Sequence, residues 1–152
     1  MGAGTAVILL LVNALAGSQT KEEITRAKIL AAGPEWQQKY DLYEPDAEMI
    51  GALKAKVGAD VKVDVYLGLW CPDSRNNVPQ FIKILDRLGV ALPVRYFDLP
   101  RKSGKDVRYF IDELKVEKVP TFIFYRGDQE IGRIVENPET GMLEDFMDIM
   151  FR

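Results

Sequence analysis

Residues 61–89, VKVDVYLGLWCPDSRNNVPQFIKILDRLG, decide the fold. Val61, Val63, Val65 and Leu67 alternate with Lys62, Asp64 and Tyr66, a period of two that marks a β-strand. Pro72 suits the first position of a helix, where its missing N–H costs nothing. Val78, Phe81, Ile82, Leu85 and Leu88 then recur at helical spacing and form one apolar stripe. Gly89 stands where that helix would end in a left-handed cap. The stretch therefore reads as strand, tight junction and helix. Cys71, the only cysteine in the chain, falls on the junction. A cysteine there meets the unpaired N–H groups and positive dipole end of the helix, both of which favour thiolate.

Composition narrows the chemistry. The 152 residues, 47% hydrophobic and 28% charged, are enough for one globular domain with a proper core. A net charge of −3 with both signs interspersed leaves no basic footprint for nucleic acid. The chain has no histidine, which removes imidazole general bases, Cys–His dyads and imidazole metal sites together. A lone cysteine also rules out a Cys-rich zinc site and an internal disulfide. No metal or cofactor is expected, and any chemistry falls to Cys71, carboxylates, hydroxyls or amines.

Upstream, residues 1–20 carry no charged side chain, and Ala3–Ala16 is mostly apolar. That run is short for a membrane span. It fits the apolar region of a secretory signal, with Ala14-Leu15-Ala16 as a small-residue cleavage site, although the usual positive start is missing. The other reading is a buried N-terminal strand or helix. The division expected is thus 1–18 as a signal or apolar N-terminal segment and 19–152 as one domain, without a stable span in the mature chain. Export is the expected localisation, periplasmic or extracellular, with a cytoplasmic protein as the alternative. Lys21–Ala32 reads as a short helix ended by Gly33-Pro34. Trp36–Tyr43 reads as a short edge strand or an irregular connection. Asp46 is placed to N-cap a helix whose Met49, Ile50, Leu53 and Val57 face inward, closed by Gly58.

Downstream, a second strand is expected over Leu92–Leu99. The basic turn Arg101–Lys105 reads as a solvated charge cluster. Val107, Phe110, Ile111 and Leu114 line one helix face. Val119-Pro120-Thr121 leads into the apolar strand Phe122–Tyr125, and Arg126-Gly127-Asp128 turns it back as Glu130–Val135. After Asn137-Pro138, Leu143, Phe146, Met147 and Met150 mark a closing helix. The fold class is α/β, a central mixed sheet built as β-α-β-α-β-β-α and flanked by helices, with an N-terminal helical extension.

That order, with Trp70-Cys71-Pro72-Asp73-Ser74 and Val119-Pro120-Thr121, resembles the thioredoxin superfamily. Gly68–Ser74 is similar to the Gly-x-Trp-Cys-x-Asp-Ser junction of bacterial thioredoxin-family proteins. The likeness runs from about Tyr40 to the C-terminus. It implies a cis peptide before Pro120, lying against the active cysteine. It also implies that Val119 offers backbone groups to a bound peptide or thiol, with Trp70, Pro72 and Pro120 shaping the groove. Two departures stand beside the match. The second family cysteine is replaced by Ser74, which cannot attack a mixed disulfide. The family's buried acid is replaced by Val65, and strand parity turns the neighbouring Asp64 to the opposite face.

Each of these residues also has a bland role. A lone cysteine is ordinarily inert and buried. Asp73 and Ser74 both suit a first helical turn. As chemistry, Ser74 would donate a hydrogen bond to the thiolate, while the charge of Asp73 would oppose it. The leading expectation is a thioredoxin-like thiol–disulfide oxidoreductase of monothiol type, working through Cys71 and Ser74 on a protein disulfide or a low-molecular-weight thiol. The alternatives are a redox-inactive binding module of the same fold and a dimer linked through Cys71.

Overall fold

The computed structural model describes residues 22–101 and 113–152. The apolar N-terminal segment, its cleavage site, Lys102–Lys105 of the basic turn and the helix face at Val107, Phe110 and Ile111 lie outside the described residues. The elements run Glu22–Ile24 (β1), Arg26–Leu30 (α1), Pro34–Leu42 (α2), Ala47–Lys54 (α3), Val61–Leu67 (β2), Pro72–Leu88 (α4), Val94–Asp98 (β3), Thr121–Arg126 (β4), Gln129–Val135 (β5) and Met142–Phe151 (α5).

The sheet is mixed, in the order β1-β3-β2-β4-β5. β2 and β3 are parallel, as the α4 crossover requires. β2–β4, β4–β5 and β1–β3 are antiparallel. The hairpin between β4 and β5 turns at Gly127, whose φ of 60° is in the left-handed region that favours glycine. Gly89, at φ 59°, caps α4 as its position suggests.

The N-terminal region departs from expectation in two places. Lys21–Ala32 is not one helix: Glu22–Ile24 adds an antiparallel edge strand to β3, and α1 starts only after Thr25. The cause is local. Thr25 Oγ1 accepts from the Lys28 amide at 3.1 Å, an N-cap inside the charged run, and Ile24 is drawn into the core. Trp36–Tyr43 is neither edge strand nor irregular connection but largely helix, α2, with Pro34 at its first turn. Gly33-Pro34 thus opens a helix rather than only ending one. Trp36, Tyr40 and Tyr43 lie at helical spacing, and all three pack on the main core. By contrast α3 forms as its cap predicts, with Asp46 Oδ1 accepting from the Met49 amide at 2.9 Å.

Most of the core lies between the sheet and the helices. Val61, Val63, Val65 and Leu67 face it from β2, as their alternation requires. At its centre the Phe81 ring of α4 meets Phe122, Phe124 and Phe146, with centroids 5.0, 6.1 and 5.8 Å away. The opposite face carries a smaller cluster, including Tyr66, Phe97 and Ile123. Asp64 points to that face, where it is 5% exposed and receives both Nε and Nη2 of Arg95, at 2.8 and 2.7 Å. Strand parity is obeyed: Asp64 belongs to a cross-strand ion pair, and Val65 occupies the core side.

Two features generate tests. At the far end of α4, Asp86 accepts from Arg26 Nη2 on both oxygens at 2.6 Å and from the Tyr40 hydroxyl at 2.5 Å, tying α1 and α2 to the helix. Burial pushes its carboxyl up, but these bonds prevail and hold it below the ordinary carboxylate range. A carboxyl lowered in the folded state adds stability that is complete above its unfolded value and fades as pH falls through its folded value. Asp86→Asn should therefore cost about 1–2 kcal/mol at pH 7, discounted for partial exposure. In urea unfolding that deficit should shrink below about pH 4, and a pH-independent deficit would contradict the assignment. On β5, a Cβ placed at Gly132 would stand 2.9–3.3 Å from the Ile149 side chain of α5. Gly132→Ala should cost roughly 1–3 kcal/mol by overpacking, with Ile149→Val recovering part of the loss in thermal melts.

Candidate functional site

The site lies where β2 hands over to α4. Cys71 is the N-cap residue of α4, with φ −89° and ψ 124°, and Pro72 takes the first helical position with its ring exposed. The junction is pinned by its own backbone. Cys71 N–H donates to Gly68 carbonyl at 2.9 Å, and Cys71 carbonyl accepts from Arg75 N–H at 3.0 Å. Asp98, at the end of β3, accepts from the Leu69 amide at 3.0 Å, and Leu99 N–H donates to Leu67 carbonyl at 2.7 Å.

The sulfur itself makes no helix-capping bond. Cys71 is 7% exposed, and its Sγ donates to the Val119 carbonyl at 3.4 Å. Val119 and Pro120 are joined by a cis peptide. Val119 is half-buried and Pro120 buried, so Val119 offers the more accessible surface beside the sulfur. The segment is braced from within, Thr121 Oγ1 donating to Lys118 carbonyl at 2.6 Å, and from the residue after β5, Glu136 N–H donating to Pro120 carbonyl at 2.7 Å.

Ser74 corrects an expectation. Its side chain is fully buried, and its Oγ accepts from Gly68 N–H at 3.1 Å rather than bonding to the sulfur. One turn into α4 it lies on the buried stripe with Asn77, Val78 and Phe81, where the amide of Gly68 needs a partner. Asp73 is half-buried in the first turn. The ammonium of Lys118 is raised above its ordinary range, chiefly by the hydrogen bond to Glu136, with Asp73 among the weaker contributors.

Trp70 forms the exposed rim, 44% accessible. Its indole Nε1 donates to Leu99 carbonyl at 2.8 Å, and the Arg101 guanidinium sits 5.6 Å from the ring centroid. A Cβ at Gly68 would fall 2.7 Å from the indole, so the ring lies directly over bare backbone. The tryptophan is thus held by its bond to Leu99 and its close approach to Gly68, with Arg101 over its ring.

The structure thus brings Trp70, Cys71, Pro72, Asp73 and Ser74 together at one end of the sheet, with Val119 beside the sulfur and Pro120 next in chain. Arg101 is there too, on the ring of Trp70. Sequence reasoning does not reach three further residues, Asn77, Asp98 and Glu136. Asn77 is 3% exposed, and its Nδ2 donates to Glu136 carbonyl at 2.9 Å and Asn137 Oδ1 at 2.8 Å. The one signal for it is a polar residue on the stripe that carries Val78 and Phe81. Among the described residues no group of three or more Cys, Asp or Glu is arranged to hold a metal ion. No helix among them is long and apolar enough to cross a membrane.

Known proteins agree with this architecture. No curated protein matches the sequence. A crystal structure of a protein of unknown function from Pseudomonas aeruginosa is similar at 13% identity and a TM-score of 0.58, over 88% of this chain and 92% of that one. An HIV epitope-scaffold is similar at 14% identity and a TM-score of 0.54, over 84% and 85% of the two chains. A thioredoxin from Aeropyrum pernix aligns at 18% identity and a TM-score of 0.42, over 72% and 86%. At such identities the first two establish the fold and nothing finer. The family model described as thioredoxin matches residues 18–147, a span that contains both the Trp70-Cys71 junction and Val119-Pro120. The chain belongs to the thioredoxin family.

Proposed function

We propose that the protein is a thioredoxin-like thiol–disulfide oxidoreductase of monothiol type, with Cys71 as its nucleophile. The observation that carries this reading is the address of the sulfur: at the N-cap of α4, 3.4 Å from the main chain of Val119 and next to an exposed indole. A thiolate formed there faces the positive end of a long helix. Its attack on a substrate disulfide forms a bond between Cys71 Sγ and one substrate sulfur, and the other substrate sulfur departs as thiolate. Ser74 carries no thiol to reverse the step. A second, external thiolate must attack the mixed disulfide, which returns Cys71 as thiolate and leaves the substrate joined to the incoming sulfur.

In this reading Val119, Pro120, Trp70 and Pro72 shape the groove, Asp73 tempers the thiolate by its charge, and Ser74 holds the junction in place through Gly68. The partner is a protein disulfide or a small thiol. The apolar segment Ala3–Ala16 supports export, which would supply disulfides to act on. A second reading, a binding module that kept the fold without the reaction, is favoured by the low exposure of Cys71 and by Ser74 Oγ bonding Gly68 N–H rather than the sulfur.

A model peptide disulfide separates the two. Incubated with the folded protein at neutral pH, it should give a mixed disulfide at Cys71, seen by mass spectrometry, that persists until a thiol such as dithiothreitol is added. Cys71→Ala should give no adduct. If the folded chain gives no adduct while the unfolded chain does, the oxidoreductase reading fails and the binding module stands. A band at twice the chain mass on a non-reducing gel, absent for Cys71→Ala, would show a Cys71-linked dimer instead.

A further inference from the structure

The carbonyl that receives the thiol of Cys71 is held in place by a circuit of hydrogen bonds that begins on the same helix. Asn77, on α4 beyond Cys71, sends its Nδ2 to Glu136 carbonyl and Asn137 Oδ1. Glu136 in turn donates its N–H to Pro120 carbonyl at 2.7 Å and accepts from Lys118 Nζ at 2.7 Å on Oε2. Those two bonds grip the Lys118–Pro120 segment on either side of Val119. From Val119 the circuit closes on Cys71 Sγ.

Two observations say that this circuit is built rather than incidental. Asn77 is a 97%-covered polar side chain beside Val78 on the buried face of α4, and it spends both protons of its amide nitrogen here. Glu136 has a φ of 60°, a left-handed conformation that a side chain bearing a Cβ adopts only where its surroundings hold it. That conformation aims its N–H at Pro120 and its carbonyl at Asn77. An unbraced strand end would relax and release Pro120.

We infer that Asn77 is a positioning residue for Cys71: by holding Glu136, it fixes the Val119 carbonyl against the sulfur. This rests on the proposed role of Cys71 as a nucleophile, deepened by naming what sets its surroundings. The direction of the effect follows from coverage. Cys71 is 7% exposed with the Val119 carbonyl against its sulfur, so releasing that segment opens the sulfur to a small reagent while the groove beside it loses its shape.

The test follows the rate of Cys71 alkylation by iodoacetamide at neutral pH in the parent, in Asn77→Ala, in Glu136→Gly and in the double variant. Circular dichroism and thermal melts first confirm that each is folded at the assay temperature. Glycine adopts the left-handed conformation without a brace, so Asn77 should be dispensable in a Glu136→Gly background. That substitution also removes the acceptor of Lys118 Nζ, so Glu136→Gly alone is the reference for the double variant. Expected is a roughly threefold faster reaction in Asn77→Ala than in the parent, and equal rates in Glu136→Gly and the double variant. Should Asn77→Ala not fold at the assay temperature, Asn77→Ser, which keeps one donor, takes its place with a smaller change in the same direction. An Asn77→Ala rate equal to the parent's, or the same acceleration in the Glu136→Gly background, would overturn the proposal and leave Asn77 as a stability clamp alone. Capture of the peptide disulfide is measured in parallel. A parent that captures none, beside an acceleration that Glu136→Gly cancels, would sink the oxidoreductase reading while the positioning role stands.

Discussion

The packing of Phe81 is the contact on which the rest of the molecule depends. Its ring is fully buried among Phe122, Phe124 and Phe146, so one side chain of α4 touches β4 and α5 at once. Burying a phenylalanine contributes about 1.5–3 kcal/mol, and each well-placed aromatic pair roughly 0.5–1.5 kcal/mol more. No hydrogen bond at the junction has comparable weight. With Val78, Ile82 and Leu88 buried on the same stripe, the helix has one way to lie on the sheet. Its start then falls over the end of β2, because only Gly68–Cys71 separates strand from helix. The place of Cys71 is a consequence of apolar packing elsewhere.

This explains which parts of the structure were legible in the sequence. β2 and α4 were read correctly because their periods of two and of three to four are uninterrupted and their faces are buried as the pattern demands. α3 was legible through Asp46, whose cap is a local event. α2 was not, since its core-facing stripe comprises only Trp36, Tyr40 and Tyr43, and Leu42 breaks the pattern by lying exposed off that stripe. β1 was hidden for a different reason. A short strand has no period to detect, and its existence depends on the free edge of β3, which no local window contains. At the site, proximity of Trp70, Cys71 and Val119 was legible only through the family resemblance that the order of elements and the two motifs carry. The actual partner of Ser74 did not, because a backbone amide leaves no mark in a sequence. Asn77 and Glu136 were out of reach likewise, their bond joining main chain to side chain across distant segments.

The polar groups of the site divide along α4 in a way that the helix itself accounts for. Pro79 lies inside α4 and has no N–H to give to the carbonyl one turn back, so the helix ladder is interrupted there. The turns before Pro79 face the junction 68–71 and the strand end at Glu136, both made of irregular backbone with amides and carbonyls to satisfy. Ser74 and Asn77 meet that need, and each is almost wholly buried while doing so. The turns after Pro79 face the sheet, where only apolar contact is available, and there Phe81, Ile82, Ile84 and Leu88 are buried. On the buried face of α4 the polar groups therefore stand before Pro79 and only apolar ones after it.

The same reasoning bears on the serine at position 74. A thiol is a weak hydrogen-bond acceptor, and a buried amide left unsatisfied costs about 1–3 kcal/mol. A hydroxyl at position 74 answers Gly68 N–H better than a sulfur would, and Gly68 is the residue over which the indole of Trp70 lies. A hydroxyl here thus strengthens the backbone beneath the indole, and in the proposed reading it also leaves out the resolving step. Under that reading, a site arranged in this way lets go of a captured sulfur only when another thiol arrives. The groove of such an oxidoreductase has two tasks, seating the disulfide and admitting the thiol that follows, and both fall to the exposed Trp70 and the half-buried Val119, since Cys71 itself is nearly covered.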